Sequence, residues 1–139
     1  MKKTFVFFNL ILVLFLISCA DVSDWSYKLP NSYEVWRINS KEIIIKYVGD
    51  ETVDAEIPSF VKEFSYDDRY VFTRNIDDIS QNNIFKETYY ALDTEKQKVY
   101  GPFENIEEMQ NQAQEWQCEI PQKWYRTSPD PNGEVNKND

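Results

Sequence analysis

The sequence contains no histidine among its 139 residues. Histidine is the commonest general base in proteins and the commonest metal ligand, because its side chain titrates near neutral pH. Its absence excludes catalysis by Ser-His-Asp or Cys-His arrangements. Composition alone does not exclude a Ser-Lys pair. Because the commonest general base and metal ligand is missing, however, we predict no catalytic site, no metal site and no cofactor.

The sequence also lacks an apolar run long enough to cross a membrane as a helix. The longest run, Phe5 to Ile17, has thirteen residues, whereas a bilayer core of about 30 Å requires roughly 20. Lys2 and Lys3 precede this run, and the small residue Ser18 follows it. A basic start, a short apolar core and a small residue before the cleavage point are the parts of a secretory signal peptide. We expect residues 1–18 to be such a signal peptide.

The end of this segment, Leu16-Ile17-Ser18-Cys19, is similar to the lipobox of bacterial lipoproteins. That resemblance implies cleavage between Ser18 and Cys19 and attachment of acyl chains such as palmitate at Cys19. Two or more chains, at about 0.8 kcal/mol per buried methylene, hold a protein stably on a membrane. The alternatives are an ordinary cleaved signal peptide and an uncleaved signal anchor. We expect an extracytoplasmic lipoprotein, on the outer face of the cytoplasmic membrane or in the outer membrane if the cell has one.

Basic side chains are scarce in the predicted mature chain. Without Lys2 and Lys3 of the signal peptide, 13 basic residues stand against 24 acidic ones, a net charge near −11. Nucleic-acid-binding proteins neutralise phosphates with clustered Lys and Arg, so the charge argues against a nucleic-acid partner. It also argues against a domain that lies flat on anionic lipid. The membrane is expected to be contacted through the acyl chains on Cys19, and an envelope protein is a possible further partner.

Cysteine is too rare for a disulfide framework. With Cys19 acylated, Cys118 has no partner in the chain, so the domain must fold without a cross-link. Cys118 lies between Trp116 and Ile120, which favours a small buried hydrophobic residue over a reactive thiol.

The remaining length suits a single domain. Removal of residues 1–18 leaves 121 residues, which is enough for one hydrophobic core. We predict a tether at 19–30, a single domain at 31–127, and a disordered tail at 128–139, where polar residues and two prolines prevail.

Alternating apolar and polar residues predict a series of antiparallel strands. Tyr33 to Asn39 and Glu42 to Val48 flank the two-residue reversal Ser40-Lys41, which is a hairpin signal. Further strands are predicted at 55–64, 69–74, 85–92 and 98–100. Asn75 to Asn83 is rich in Asn and Asp and is predicted to be the longest loop. Gly101-Pro102 is predicted to end the last strand.

One helix is predicted after these strands. Asn105, followed three residues later by Glu108, is close to a capping box. The apolar residues that recur at helical spacing are Ile106, Met109, Ala113 and Trp116. The predicted fold class is α+β: an antiparallel meander of five or six short strands with one C-terminal helix packed on a face.

Several segments carry a resemblance to a known family. They are Leu29-Pro30-Asn31-Ser32-Tyr33, Arg37-Ile38-Asn39-Ser40, Tyr89-Tyr90-Ala91-Leu92-Asp93 and Lys98-Val99-Tyr100-Gly101-Pro102-Phe103. Across residues 25–120 the chain resembles a family of small bacterial lipoproteins of unknown function. Lys41-Glu42 stands where that family often carries His-Glu. The resemblance implies a lipoprotein with no assigned activity and a structural role for the Tyr-Gly-Pro-Phe segment.

Paired acidic residues are the first candidates for chemistry. Asp67-Asp68 and Asp77-Asp78 offer carboxylates for acid-base catalysis or Ca²⁺ binding. Neighbouring residues in a strand point to opposite faces, and aspartate is favoured in turns in any case. We interpret them as solvated turn acids. Asp130-Pro131-Asn132-Gly133-Glu134 is only faintly similar to a calcium loop.

Aromatic side chains are the second candidates. The predicted mature chain keeps 18 of them, since four phenylalanines leave with the signal peptide. Exposed Trp and Tyr beside carboxylates can stack on sugars or anchor a protein interface. The simpler interpretation assigns five of them to the core of a helix-on-sheet domain. Those five are Trp36, Tyr47, Tyr70, Phe72 and Trp116.

These observations lead to two functional hypotheses. The preferred one is a non-catalytic binding module in the cell envelope, anchored through Cys19, that holds another envelope protein through a surface the sequence does not identify. The alternative is a carboxylate-dependent enzyme or glycan-binding module acting on cell-wall polymers.

Overall fold

The computed structural model describes residues 25–78 and 85–128. The predicted signal peptide, its cleavage point and the lipidation site Cys19 lie outside the described residues. So do residues 129–139 of the predicted tail, which include the faint calcium-loop sequence. The described part of the predicted tether already contributes to the fold, since its residues Ser26–Lys28 form a strand.

Eight strands and one α-helix form the described part of the chain. In chain order they are β1 (Ser26–Lys28), β2 (Tyr33–Asn39), β3 (Glu42–Tyr47), β4 (Val61–Tyr66), β5 (Tyr70–Asp78), β6 (Phe85–Asp93), β7 (Lys98–Phe103), α1 (Ile106–Glu115) and β8 (Tyr125–Arg126). All strand pairs are antiparallel. The predicted α+β class, with antiparallel strands and a helix on the C-terminal side, is confirmed.

The strands divide into two sheets. The smaller has the order β1-β2-β3, and the larger has the order β7-β6-β5-β4-β8. The sheets pack face to face through apolar side chains that each contributes. Fully buried examples are Tyr33, Val35, Ile43, Ile45, Val61, Phe64, Val71 and Leu92. At about 25 cal/mol per Å² of apolar area, this core is the main stabilising contribution in a chain with no disulfide among its described residues.

The helix α1 covers the other face of the larger sheet. It begins as predicted, because the side chain of Asn105 accepts a hydrogen bond of 2.9 Å from the Glu108 backbone N–H. The returning bond departs from a standard capping box, since Glu108 accepts from the Glu104 N–H at 3.0 Å. Met109 and Ala113 are the buried residues of the helix, and they pack on the sheet beside Phe72. Trp116 then stacks on Tyr70, with ring centroids 4.6 Å apart.

The first predicted hairpin is confirmed, but the third predicted strand was wrong in position. The strand β4 begins at Val61, whereas Pro58 lies in an irregular segment that touches β3 only through the Ile45–Ile57 bridge. Proline has no backbone N–H and so interrupts a ladder. The pattern around Pro58 was apolar enough to imitate a strand because Ala55 and Ile57 are buried in the inter-sheet core.

The predicted loop at 75–83 was also wrong at its start. The strand β5 continues through Asn75 to Asp78. Asn75 is fully buried, and its side-chain amide donates a 2.7 Å hydrogen bond to the Pro58 carbonyl. Burial beside an acceptor 17 residues away in the sequence overrides the turn preference of asparagine at this position. The rest of the predicted loop lies outside the described residues.

The Gly101-Pro102 pair does not end the last strand as predicted. It lies inside β7, which forms one end of the larger sheet. Proline is tolerated there because an end strand has one side without a ladder partner. Gly101 adopts a φ of +122°, and a Cβ at this position would lie 2.7 Å from the Tyr89 carbonyl oxygen. The position therefore requires glycine.

A buried carboxylate fixes the turn between β6 and β7. Asp93 is fully buried, and its two oxygens accept from Nε and Nη2 of Arg69 at 3.1 and 2.8 Å. The backbone N–H groups of Glu95 and Lys96 donate to the same carboxylate at 3.1 Å each. Burial alone raises the pKa of Asp93, but Arg69 and these two N–H groups outweigh burial and hold the pKa below its ordinary value of 3.8.

Replacing this carboxylate should destabilise the fold. We expect Asp93→Ala to lower the free energy of unfolding by about 3 kcal/mol, because it removes one partner of a buried ion pair and the acceptor of two backbone donors. Urea denaturation at pH 7 measures the change. Asp68→Ala, at an exposed position, is the matched control and should change stability by less than about 0.5 kcal/mol. Equal stability of the two variants would contradict the role given to Asp93.

The same carboxylate should make stability depend on pH in the acid range. Because the pKa of Asp93 is lower in the folded chain than its ordinary value of 3.8, its contribution is present above that value and is lost as pH falls through the folded value. Urea denaturation between pH 7 and pH 2.5 should show the stability gap between wild type and Asp93→Asn narrowing at the acid end. A gap that stays constant or widens would contradict this linkage.

Candidate binding cleft

The face of the larger sheet that carries α1 is not covered along its whole length. Along β5, side chains on this face alternate in the order Tyr70, Phe72, Arg74. Tyr70 and Phe72 pack in the cluster formed with α1 and Trp116. The next residue on the same face is a cation. The apolar cover therefore ends between Phe72 and Arg74.

An open cleft of about 400 Å³ begins where this cover ends. Its charged residues are Lys62 and Glu63 of β4, Arg74 of β5 and Arg126 of β8. Phe60, Thr127 and Ser128 complete the wall. Thr127 is buried and fixes this wall, because its hydroxyl donates to the backbone carbonyls of Val61 and Lys62 at 2.8 and 3.0 Å.

Strand register brings the charged side chains together. Glu63 pairs with Arg74 across β4 and β5, and with Arg126 across β4 and β8. Directly opposed residues in a sheet point to the same face. A register irregularity between Val61 and Glu63 adds Lys62 to the lining of the same cleft.

Glu63 is held between two guanidinium groups. Nη2 of Arg74 lies 2.8 Å from one carboxylate oxygen of Glu63, and Nε of Arg126 lies 3.4 Å from the other. Only 15% of the Glu63 side chain is exposed. Each of its oxygens thus faces a cation, so Glu63 orients the arginines, and its low exposure presents little of the carboxylate to a substrate.

Arg74 keeps hydrogen-bonding capacity that the fold does not use. Its Nε is buried and has no hydrogen-bond partner among the described residues. A guanidinium carries five N–H donors in a fixed plane, and a buried donor without an acceptor costs about 1–3 kcal/mol. This Nε has almost no accessible surface and is out of reach of a ligand in the cleft, so Arg74 presents only its exposed N–H groups there, with 29% of its side chain exposed.

The cleft is a cationic feature of an acidic protein. The full chain has a formal net charge of −9, yet the cleft wall has three basic side chains and one acidic one. A further acid, Glu87, has its carboxylate 4.0 Å from Nζ of Lys62. With Glu87 counted, the described charged residues at the cleft are three basic and two acidic.

The sequence Ser59-Phe60-Val61-Lys62 at the cleft has the spacing of a Ser-x-x-Lys motif. In a helix this spacing places the two side chains on one face, where the lysine can accept the serine proton. Here Lys62 is in the extended strand β4 and Ser59 lies in the irregular segment before it, so the helical geometry that this motif needs is absent. Ser59 is exposed, and the Lys62 amine faces Glu87. The spacing therefore does not produce a nucleophile with its base.

The acidic residues singled out in the sequence lie apart from the cleft. Asp67 accepts hydrogen bonds from the N–H groups of Arg69 and Tyr70 at 2.8 and 2.7 Å, so it is a turn acid, and Asp68 is exposed. Asp77 and Asp78 lie in β5, where Asp77 accepts from the Thr88 hydroxyl at 2.9 Å. Within residues 25–78 and 85–128, no three acidic or cysteine side chains come close enough to hold a metal ion.

Trp36 was wrongly assigned to the core. Its neighbour Val35 faces the inter-sheet core, so Trp36 lies on the opposite face of the smaller sheet. There its ring is covered by Lys46, whose Nζ lies 3.5 Å from the ring centroid, and its indole N–H donates to Glu34 at 2.7 Å. The alternation of β2 shows that Trp36 and Val35 lie on opposite faces, but it does not show which face is buried. Packing against the other sheet decides that.

The other four predicted core aromatics do pack in the interior. Phe72 is fully buried, and the partly buried Tyr70 and Trp116 pack against it. Tyr47 packs against the inter-sheet core, with its ring centroid 5.3 Å from that of Tyr33. Each of these rings packs against another aromatic ring, so the four do not form an open surface for stacking.

Cys118 is a partly buried free thiol. It packs in the cluster under α1 with Trp116 and Ile120. Burial, followed by the negative charge of Asp67, raises the pKa of the thiol. A raised pKa lowers the thiolate fraction at neutral pH, which agrees with the prediction of a small hydrophobic residue.

The sequence reasoning did not find the cleft residues. A signal was present in β5, where the apolar face Tyr70, Phe72 is continued by Arg74 at the same period of two. Glu63 is likewise a charged residue inside a strand, β4. The convergence of these residues with Arg126 depends on strand register between segments more than 50 residues apart in the sequence, and no local pattern specifies that register.

The fold and the cleft together define a small α+β domain with two packed sheets, one covering helix and a cationic binding cleft. The chain belongs to the family described as "Protein of unknown function (DUF3997)", whose model matches residues 30–123. Lys62, Glu63 and Arg74 lie within the matched range. No curated protein and no solved structure matches the chain. Among the described residues, no helix is both long and apolar enough to span a bilayer.

Proposed function

We propose that this protein is a lipid-anchored extracytoplasmic lipoprotein whose domain is a non-catalytic binding module. The lipobox-like Leu16-Ile17-Ser18-Cys19 supports the anchor, with acyl chains on Cys19 after cleavage behind Ser18. In the folded domain, the cationic cleft supports the binding role. Its task is to hold an anionic group of another envelope protein.

The single observation that carries the binding role is the pairing of Glu63 with Arg74 and Arg126. General acid-base chemistry needs a carboxylate or amine within hydrogen-bond reach of the substrate. In this cleft the carboxylate is already enclosed by two cations. What the cleft presents to a ligand is donors, and fixed donors favour recognition of an anion.

The alternative, a carboxylate-dependent enzyme or glycan-binding module, needs two facing carboxylates or an open aromatic ring. The cleft wall has one carboxylate, and the face of Trp36 is covered by Lys46. Trp116 stacks on Tyr70 and makes a T-shaped contact with Tyr100, with centroid distances of 4.6 and 4.9 Å. These contacts favour the binding module over the alternative.

Strand addition at a sheet edge is a second way to bind a protein, but it is less favoured. The end strands are β1, β3, β7 and β8. Strands β1 and β8 have three and two residues, β7 contains Pro102, and β3 already pairs with Ile57 through Ile45. Short end strands and proline discourage pairing with a further strand. The cleft is therefore the preferred surface.

The anchor predicts membrane attachment that depends on one thiol. Cells grown with labelled palmitate should incorporate label into the wild-type chain and not into Cys19→Ala, because the diacylglyceryl group is attached at that sulfur. The variant should also leave the detergent-extracted membrane fraction. Cys118→Ala is the matched control and should stay labelled and membrane-bound. An unlabelled wild type, or a Cys19→Ala form that stays equally membrane-bound, would contradict the proposal.

The binding role predicts a partner that depends on the domain. Cross-linking in intact cells, followed by purification of the full chain, should recover an envelope protein at a fixed ratio. Asp93→Ala, which destabilises the fold, should reduce recovery in proportion to the loss of folded protein, while Asp68→Ala should not. Two results would count against a partner that is specific for this domain. One is recovery of the same protein from control cells that lack the chain, and the other is equal recovery with Asp93→Ala and Asp68→Ala.

A further inference from the structure

We propose that the cleft formed by Lys62, Glu63, Arg74 and Arg126 binds a single carboxylate carried by an otherwise uncharged peptide segment. This inference rests on the proposed binding function and specifies its ligand. The segment belongs to the partner protein, and its carboxylate is either a chain terminus or an acidic side chain. The carboxylate is bound mainly by Arg74, with Lys62 as a second cation.

Arg74 is the residue around which the site is built. Its Nη2 is fixed by Glu63 at 2.8 Å, so the plane of the guanidinium is set before any ligand arrives. Arg74 lines the cleft, and 29% of its side chain is exposed. A planar fork with a fixed orientation loses little entropy on binding a carboxylate, and such bonds are about twice as strong as neutral ones.

The remaining wall fits a peptide side chain or chain end. A volume of about 400 Å³ lies at the small end of the range for small-ligand sites. The ring of Phe60 offers an apolar contact, and the hydroxyl group of Ser128 is a hydrogen-bonding group on the exposed rim. The cleft thus has one charged position and an apolar neighbour, which suits one acidic group on an uncharged segment.

The charge of the whole domain selects against polyanions. Screening limits electrostatic attraction to about 8 Å at physiological ionic strength, so the cleft attracts a single nearby carboxylate. A phosphate polymer that enters the cleft also passes along the acidic surface of a chain with net charge −9, where like charges repel. A single carboxylate gains the local attraction without that repulsion.

The test uses the full chain in detergent. Its ligands are mixtures of synthetic pentapeptides in which the varied positions contain no Asp, Glu, Lys or Arg. All peptides are N-acetylated. One acid mixture has a free C-terminal carboxylate, and a second has a central Glu and an amidated C-terminus. The matched neutral mixtures have an amidated C-terminus or a central Gln. Polyphosphate is the polyanion probe. Calorimetric titration gives Kd, and amide resonances of residues 60–63, 74 and 127 locate the site.

We expect at least one acid mixture to bind about tenfold or more tightly than its neutral match, which corresponds to about 1.4 kcal/mol. Arg74→Gln should weaken that binding about tenfold. Lys62→Gln, at a position 42% exposed where loss of folding is not expected, should weaken it several-fold. The charge-matched controls outside the cleft, Arg37→Gln and Lys41→Gln, should leave Kd within about twofold, because screening confines their effect.

Three binding results would overturn the inference. They are equal binding of acid and neutral mixtures, no binding of either acid mixture at millimolar concentration, and tighter binding of polyphosphate than of both acid mixtures. The proposed function fails separately, when cross-linking recovers no partner that depends on the domain. A cross-linking result can also overturn the inference alone. If cross-linking recovers the same partner with Lys62→Gln and Arg74→Gln as with wild type, the binding module stands and the ligand assignment to this cleft is wrong.

Discussion

The structure depends on one constraint: the larger sheet needs apolar cover on both faces, and its helix covers only part of one. A ten-residue helix is about 15 Å long, whereas the nine residues of β5 span about 30 Å. The smaller sheet covers the inner face with buried residues such as Val35 and Ile45. On the outer face, Tyr70 and Phe72 are covered and Arg74 is not. The change from apolar to charged side chains on β5 coincides with the end of the cluster that α1 and Trp116 form with Tyr70 and Phe72.

This constraint explains why the cleft lies on the outer face of the larger sheet. Beyond the apolar cover, the backbone groups of the strands are hydrogen-bonded within the sheet. Their side chains, however, must interact with solvent or with one another. Glu63 and Arg74 do so as a cross-strand pair, and the short β8 adds Arg126 beside them. The cleft is thus bounded by a rigid sheet, which fixes donor positions better than a loop does. Rigid donors are the property that a recognition site for an anion needs.

Local patterns predicted those elements whose determinants are local. The hairpin around Ser40-Lys41 and the helix start at Asn105 follow from turn and cap chemistry, and both are present. Three predictions were wrong: the strand boundary near Pro58, the start of the loop at Asn75 and the burial of Trp36. In each case packing against distant segments decided the outcome. For the same reason the candidate site was missed. Arg74 could have been noticed as a cation that continues an apolar face, but its contact with Arg126 through Glu63 depends on register between remote strands.

The proposed anchor and the cleft are connected through the fold. Cys19 and Trp25 are six residues apart, so a chain anchored at Cys19 reaches at most about 20 Å before the domain begins. Trp25 leads into β1, where the ring of Tyr27 lies 5.5 Å from that of Tyr125 in β8. The next residue, Arg126, lines the cleft. Tyr125 faces the inter-sheet core and Arg126 faces the other side of the larger sheet, so the chain enters the domain on the inner side of a strand whose outer side lines the cleft. With Cys19 acylated as proposed, a tether of this length would keep the domain, and with it the proposed cleft, close to the membrane surface.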